Sequence, residues 1–341
     1  MTSRAQDPVL LSVVVPMLDE QEVLPELHRR LEAALEGFAW ELIAVDDGSS
    51  DATPMLLDEL SARDPRVTAV HLTRSWGHQA ALTAGMDAAR GDVVVTIDAD
   101  LQDPPELIPA LVEQWRAGND IVRAVRGERT GEPRWRLTAI GGFYRLLGRW
   151  TGVDYAANTG DFRLMDRRAV DVVRAMPERA RYLRGMTAWT GFASADVSYQ
   201  RDPRLAGETK YPIRKLVRFA IDGLTSFSHV PLRLASYLGF FFAALAFLGL
   251  PLAVIARVTG IYVPGIATVI ILVCFLGGVQ LLTLGIVGEY LGRMYDELKR
   301  RPLYLVRDVV VRGEHHVPTT HLTPVLDRED PVPAPDPAKL G

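Results

Sequence analysis

The sequence predicts an α/β protein: a mostly parallel sheet with flanking helices, followed by a two-helix transmembrane hairpin. Three observations predict it. Apolar runs alternate with helix-like stretches over residues 9 to about 125, the pattern of a mostly parallel sheet. Two of those runs close on acidic clusters, and ligands gather at the carboxyl ends of strands in such sheets. Residues 234–256 and 258–288 carry no charge at all, and each stretch exceeds the roughly 20 apolar residues that cross a bilayer.

Taken in order, Leu10-Leu11-Ser12-Val13-Val14-Val15 reads as a buried strand stopped by Pro16. Val23, Leu24, Leu27, Leu31 and Leu35 have helical spacing over residues 22–35. Residues 41–45 make a second strand, which ends in Asp46-Asp47-Gly48-Ser49-Ser50-Asp51. Residues 67–72 are a third strand, and 78–90 a helix closed by Gly91. Residues 92–97 form a fourth strand, ending in Asp98-Ala99-Asp100, and 121–125 a fifth.

Residues 134–150 and 210–227 mix arginine and lysine with aromatic and aliphatic side chains. That composition suits a helix lying in a membrane interface; an amphipathic helix packed on the core has the same pattern. The spans are expected at about 234–256 and 263–288, joined by a short connection, so both ends lie on one side. Arg214, Lys215, Arg218 and Arg233 precede the pair, and Arg293, Lys299, Arg300 and Arg301 follow it. The positive-inside rule puts those flanks, and with them both termini, in the cytoplasm; Arg257, on the far side, is the exception. Beyond about residue 317 proline and acidic residues predict disorder.

Composition narrows the function. The 341 residues are 48% hydrophobic, and the excess is concentrated in the charge-free stretches. A formal charge of −4 excludes nucleic acid as the main partner, since no basic field exists to hold phosphate backbones. Cys274 is the one cysteine, which excludes an internal disulfide and fits a reducing compartment. Met1 to Pro8 is polar, without the apolar core of a signal peptide, so the first element is expected in the cytoplasm.

Asp98-Ala99-Asp100, followed by Gln102-Asp103-Pro104-Pro105, carries the strongest chemical signal. Where the strand breaks into a turn, both carboxylates can approach one hard cation. Mg2+ or Mn2+ suits such oxygen ligands and leaves positions for phosphate. Alone, Asp-X-Asp is more often a solvated turn. The cluster Asp46 to Asp51 could accept hydrogen bonds from a base or ribose, with Gly48 allowing close backbone approach; an ordinary Asp-Gly turn capping the next helix is the plainer alternative.

Together the motifs resemble glycosyltransferase family 2, with its Rossmann-like GT-A fold, and within it the polyprenyl-phosphate glycosyltransferases. The likeness runs from about Ser12 to Arg301: Val14-Val15-Pro16 with Glu20, Val45-Asp46-Asp47-Gly48-Ser49, Ala80-Ala81-Leu82, Asp98-Ala99-Asp100-Leu101-Gln102-Asp103-Pro104-Pro105-Glu106, Thr159-Gly160-Asp161-Phe162-Arg163-Leu164, and Gly207-Glu208-Thr209-Lys210-Tyr211. The resemblance implies a cytoplasmic catalytic domain over residues 1–228, the hairpin over 229–292 and a C-terminal segment over 293–341. It also implies inverting transfer of a hexose from a nucleotide diphosphate sugar to a polyprenyl phosphate at the inner membrane, with UDP-glucose favoured and GDP-mannose the alternative. Asp46 or Asp47 would hold the nucleoside, with Pro16 and Glu20 lining the pocket. Asp98 would lie near ribose and diphosphate, Asp100 would ligate the metal, and Gln102 would sit close by. Asp161 would face the acceptor phosphate, and Arg204 and Lys210 would hold phosphates. Arg134, Arg136, Arg145 and Arg149 are candidates for anionic headgroups or the acceptor phosphate. Glycines 277, 278 and 285 could permit helix packing in a homo-oligomer.

Two departures stand out: Asp19 replaces the usual Asn, and Ser75-Trp76-Gly77-His78 replaces Asn-Phe-Gly-Lys. A processive polysaccharide synthase is disfavoured because Leu146, not Gln, stands three residues before Arg149-Trp150. A non-catalytic membrane scaffold is disfavoured by the presence of Asp100, Asp161 and Lys210. A transporter is disfavoured by the absence of charge within the spans.

Overall fold

Apolar residues on both faces suit a strand covered on two sides, and four such strands form the sheet's centre: β1 (Leu11–Met17), β2 (Trp40–Asp46), β3 (Val67–Leu72) and β4 (Val93–Thr96). Every residue of the four is buried. The computed structural model describes residues 10–126, 159–179, 181–200 and 265–318, with isolated positions between 232 and 259. The four strands pair in parallel, in the order β4-β1-β2-β3. Helices α1 (Leu24–Ala34), α2 (Thr53–Arg63) and α3 (His78–Ala88) connect them. α3 lies against the sheet at Gly85, where a Cβ would come within 2.2 Å of Val14 Cγ1.

Pro16 does not stop β1. The strand runs on to Met17 and pairs with β2 up to Asp46. Val14 O accepts from Ile97 N on the β4 side, and Met17 O accepts from Asp47 N on the β2 side. By alternation the donor that proline lacks faces β4, whose ladder has ended at Thr96, so no sheet hydrogen bond is lost.

The remaining elements are α4 (Ile108–Arg116), β5 (Ile121–Arg126), β6 (Thr159–Asp166), α5 (Arg167–Ala175), α6 (Leu183–Trp189), β7 (Ser194–Tyr199), α7 (Ile266–Leu298), β8 (Val306–Val311) and β9 (Glu314–His316). The nine-stranded sheet has the order β7-β5-β6-β4-β1-β2-β3-β8-β9. The fifth predicted strand is present as β5, but it is not next to β4. β6 lies between them, antiparallel to both, and carries buried Phe162, Leu164 and Met165. At the other edge β8 pairs antiparallel with β3. Val306, Val309 and Val310 of β8 are buried, and Ser61 Oγ donates to Val310 O at 3.1 Å. Residues 306–316, expected as part of a simple C-terminal segment, are therefore part of the sheet.

The chain divides into two compact units: Met1–Lys210 with Pro302–Gly341, and Tyr211–Arg301. The second contains α7, whose 33 residues span about 50 Å at 1.5 Å per residue. The helix runs past the predicted end at 288 to Leu298. Within it Phe275–Leu298 is long and apolar enough to cross a membrane, the one such helix among the described residues. Phe275 packs edge-on against Phe242 at 5.3 Å between centroids. Most of the first predicted span, both predicted interfacial helices and the tail from 319 lie outside the described residues.

Candidate active site

The carboxyl ends of β2 and β4 and the amino end of the antiparallel β6 bring the predicted acidic residues to one edge of the sheet. The turn after β2 is closed upon itself. Asp46 is buried; its Oδ1 accepts from Ser49 N at 2.8 Å and its Oδ2 contacts His71 Nδ1 at 3.1 Å. Burial pushes the Asp46 carboxyl up, but the bonds from His71 and Ser49 outweigh it and hold it below the ordinary value. Asp47 accepts from Trp76 N at 2.7 Å, Ser75 Oγ at 2.9 Å and Gly77 N at 2.9 Å. It thereby fastens the loop in which this chain departs from Asn-Phe-Gly-Lys. Gly48 is required there twice over: its φ is +76°, and a Cβ would lie 2.6 Å from Arg74 C. Asp19, at φ 57°, accepts from Ser50 N at 2.7 Å, while its own N–H donates to Ser49 Oγ. Asn and Asp both tolerate that left-handed backbone, so the Asn-to-Asp departure keeps the turn. Glu20 N donates to Thr53 Oγ1 at 2.9 Å, and Pro16 precedes the same edge at the end of β1.

The turn after β4 is different. Asp98 and Asp100 lie beyond the end of the strand at Thr96; Asp100 Oδ1 accepts from Gln102 N at 3.1 Å across Leu101, whose φ is 56°. Asp98 Oδ1 and Gln102 Oε1 are buried acceptors with no hydrogen-bond donor. Burial first, and then the charges of Asp161, Asp103 and Asp100, push the Asp98 carboxyl up to about 6 against the opposing pull of His78. Uncompensated buried oxygens are costly unless a cation or donor reaches them, so this oxygen set fits a hard divalent cation. No group of three His, Cys, Asp or Glu side chains suited to a metal ion occurs among the described residues; an ion here would draw its other ligands from elsewhere, as phosphate oxygens can provide. Behind the turn, Asp103 is fully buried, accepts from the Tyr199 hydroxyl and lies 3.5 Å from Arg126 Nη2. Burial and Asp103 both push the Tyr199 phenol up, so Tyr199 stays a neutral donor.

Asp161, on β6, is the centre of a cationic nest. Arg184 Nε and Nη2 each reach it at 3.0 Å, one to each oxygen. Gln79 Nε2 donates at 3.2 Å, His78 Nε2 lies at 3.3 Å and Arg163 Nη2 at 3.6 Å. His78 also approaches Asp98 Oδ1 at 3.4 Å, so it bridges the β4 turn and Asp161. Burial pushes Asp161 up, yet His78, Arg184 and Arg163 overwhelm it and hold the carboxyl far below the usual range. Arg163 is fully buried, which lowers it to about 10; it donates to Thr187 Oγ1 at 2.5 Å and Gly160 O at 2.9 Å.

The structure thus gathers Pro16, Glu20, Asp46, Asp47, Asp98, Asp100, Gln102 and Asp161 at one edge. Arg134, Arg136, Arg145, Arg149, Arg204 and Lys210 lie outside the described residues. Sequence reasoning missed Arg184, Gln79 and the bridging role of His78. His78 closes the Ser75-Trp76-Gly77-His78 departure and Gln79 follows it, a signal that chemistry had been altered there; Arg184, in Tyr182-Leu183-Arg184-Gly185, offers none.

The profile of "Glycosyl transferase family 2" matches residues 12–174. The uncharacterized glycosyltransferase YkcC of Bacillus subtilis (strain 168) is 44% identical over 299 residues, 87% of this chain and 93% of that protein. The chain belongs to glycosyltransferase family 2. This glycosyltransferase is also 38% identical over 302 residues to the prophage bactoprenol glucosyl transferase homolog of Escherichia coli (strain K12), covering 88% of this chain and 99% of the relative. The bactoprenol glucosyl transferase of Shigella phage SfII is 39% identical over 300 residues, 87% of this chain and 97% of that protein. Among solved structures, glucosyl-3-phosphoglycerate synthase from Mycobacterium tuberculosis aligns with a TM-score of 0.44 and 21% identity over 64% of this chain and 76% of that one. The glycosyltransferase has the GT-A fold of its family, with a parallel four-stranded centre and the acidic edge at its strand ends.

Proposed function

We propose that the enzyme transfers glucose, with inversion, from UDP-glucose to a polyprenyl phosphate at the cytoplasmic face of the inner membrane. The observation that carries the reading is the acidic turn whose buried oxygens lack donors, bridged by His78 to an ionised Asp161. The bactoprenol glucosyl transferases among the relatives favour glucose and a prenyl acceptor. α7, with exposed Leu272, Val273, Leu281, Leu282 and Leu284, supports a membrane anchor. GDP-mannose is the second donor to test.

Asp98, Asp100 and Gln102 would hold Mg2+ or Mn2+. Such an ion neutralises the charge that grows on a nucleoside diphosphate leaving group, a contribution of several kcal/mol. Pro16, Glu20 and the two turns held by Asp46 and Asp47 frame the nucleoside side. Arg204 and Lys210 are assigned to phosphate groups, and Arg134, Arg136 and Arg145 to the acceptor's headgroup.

Asp161 is not a proton acceptor in this scheme. Three cationic groups keep it ionised, and a carboxylate so strongly stabilised has little basicity. None is needed: the second pKa of a phosphate monoester is about 6, so the acceptor is already a nucleophilic dianion at neutral pH. Asp161 instead holds Arg184 and His78 in place, and these orient an incoming phosphate. The test is a panel of nucleotide sugars offered with polyprenyl phosphate and Mg2+ or Mn2+. UDP release with UDP-glucose supports the reading; release only with GDP-mannose selects the alternative, and release with neither refutes both.

A further inference from the structure

His71 lies inside β3, in the centre of the sheet, yet it is completely buried and takes no part in the chemistry described above. Its Nδ1 faces Asp46 Oδ2 at 3.1 Å and its Nε2 faces Asp58 Oδ1 at 2.9 Å. Asp46 uses its other oxygen to accept from Ser49 N. A continuous chain of hydrogen bonds therefore runs from α2 through the sheet to the turn after β2. The remaining groups around it come from the β8–β9 hairpin: His315 bonds Asp308 Oδ2 through Nδ1 at 2.7 Å and lies 3.8 Å from Asp58 Oδ2. We infer that His71 is a positioning residue for donor binding: through its Nδ1 it fixes the Asp46 carboxylate, and with it the Asp47-Gly48-Ser49 turn against which the nucleoside rests. The inference rests on the proposed placement of the donor at the β1–β2 edge.

The geometry makes the two ring nitrogens unequal. The Nδ1 side reaches the turn, whereas the Nε2 side reaches Asp58, which is a third exposed and lies away from it. Burial disfavours the charged ring, but the two carboxylates outweigh burial and raise His71 above its ordinary value, which favours a ring that donates to Asp46 through Nδ1.

Asparagine can place its amide donor where Nδ1 stands, and glutamine where Nε2 stands. In the full-length protein, His71→Gln is expected to raise KM for UDP-glucose about tenfold, with kcat within threefold and KM for polyprenyl phosphate unchanged. His71→Asn, although smaller and leaving more empty volume, is expected to stay within threefold of the parent KM. A purely structural role predicts the reverse order, with Asn impaired at least as much as Gln, and either that result or an unchanged KM in both variants overturns the inference. Should His71→Gln fail to fold, Asp46→Asn and Asp58→Asn carry the same contrast: KM for the donor rises in the first and stays within twofold in the second, and equal effects overturn it. Calorimetric binding of UDP to the parent separates the two levels, because a parent that binds no UDP overturns the donor placement itself.

Discussion

The two acidic turns at the sheet's carboxyl edge look alike in sequence and are opposite in physics. After β2, both oxygens of Asp46 and both of Asp47 are met by donors within the chain. After β4, Asp98 Oδ1 and Gln102 Oε1 are buried and accept no hydrogen bond, Asp98 Oδ1 being met only by the His78 ring at 3.4 Å, and the Asp98 carboxyl is pushed up to about 6. Carboxylates whose bonds are complete build a shape. Carboxylates left incomplete at a buried turn are held ready for something that arrives from outside.

The sharpest way to break the comparison is to remove charge from the unmet turn. Asp100→Asn should lower kcat by about 1,000-fold, because a few kcal/mol of leaving-group stabilisation is lost; steady-state kinetics with UDP-glucose would read it, and a loss under tenfold would contradict the assignment. Asp161→Asn should retain more turnover than Asp100→Asn, losing about 10- to 100-fold. It should also destabilise the fold by about 3 kcal/mol, since buried Arg163 and half-buried Arg184 lose their shared anion. Equal abolition in kinetics, or an unchanged denaturant midpoint, would show that Asp161 is not the anchor of that nest.

Stability should separate the two turns by sign. Asp47→Ala removes three hydrogen bonds and should cost about 2–3 kcal/mol. Asp98→Asn removes a carboxylate that burial penalises and should stabilise the metal-free protein by about 1–2 kcal/mol while abolishing transfer. Thermal melts of both variants in chelator test this, and two shifts of the same sign would erase the distinction.

The smallest effects concern pH. Cation binding needs Asp98 ionised, so affinity should be level above pH about 6 and weaken about tenfold per unit below it, as protons compete. Stability runs otherwise. Asp161 and Asp64 both sit well below the ordinary carboxylate range, so their contribution is fully present above the unfolded value of about 4 and disappears as pH falls further. Calorimetric Mn2+ titrations and acid melts should therefore show separate transitions, the first near pH 6 and the second below 4.

Four of the five strands legible in the sequence are buried on both faces, and the fifth, β5, is buried only in part. The bounds of β3 match the expected 67–72, and β1, β2 and β4 differ by a residue or two at their ends. β6 was not legible as a strand because Asp161 and Arg163 interrupt its apolar run. β8 follows a long apolar helix in the chain and pairs with β3 across a separation that local periodicity cannot register. The acidic clusters and Asp161 were legible from motif and position. Arg184 was not, because nothing in a short helix marks which arginine will meet a carboxylate on a distant strand. The difference between the two turns was equally hidden: it depends on which backbone N–H groups fold back onto each carboxylate.

Mn2+ binding to the purified full-length glycosyltransferase, with transfer from UDP-glucose followed in the same preparation, tests the central claim most directly. One bound ion that is lost in Asp100→Asn, with transfer abolished by chelator and restored by Mn2+ or Mg2+, is the predicted result. Undiminished transfer to polyprenyl phosphate in excess chelator would contradict it.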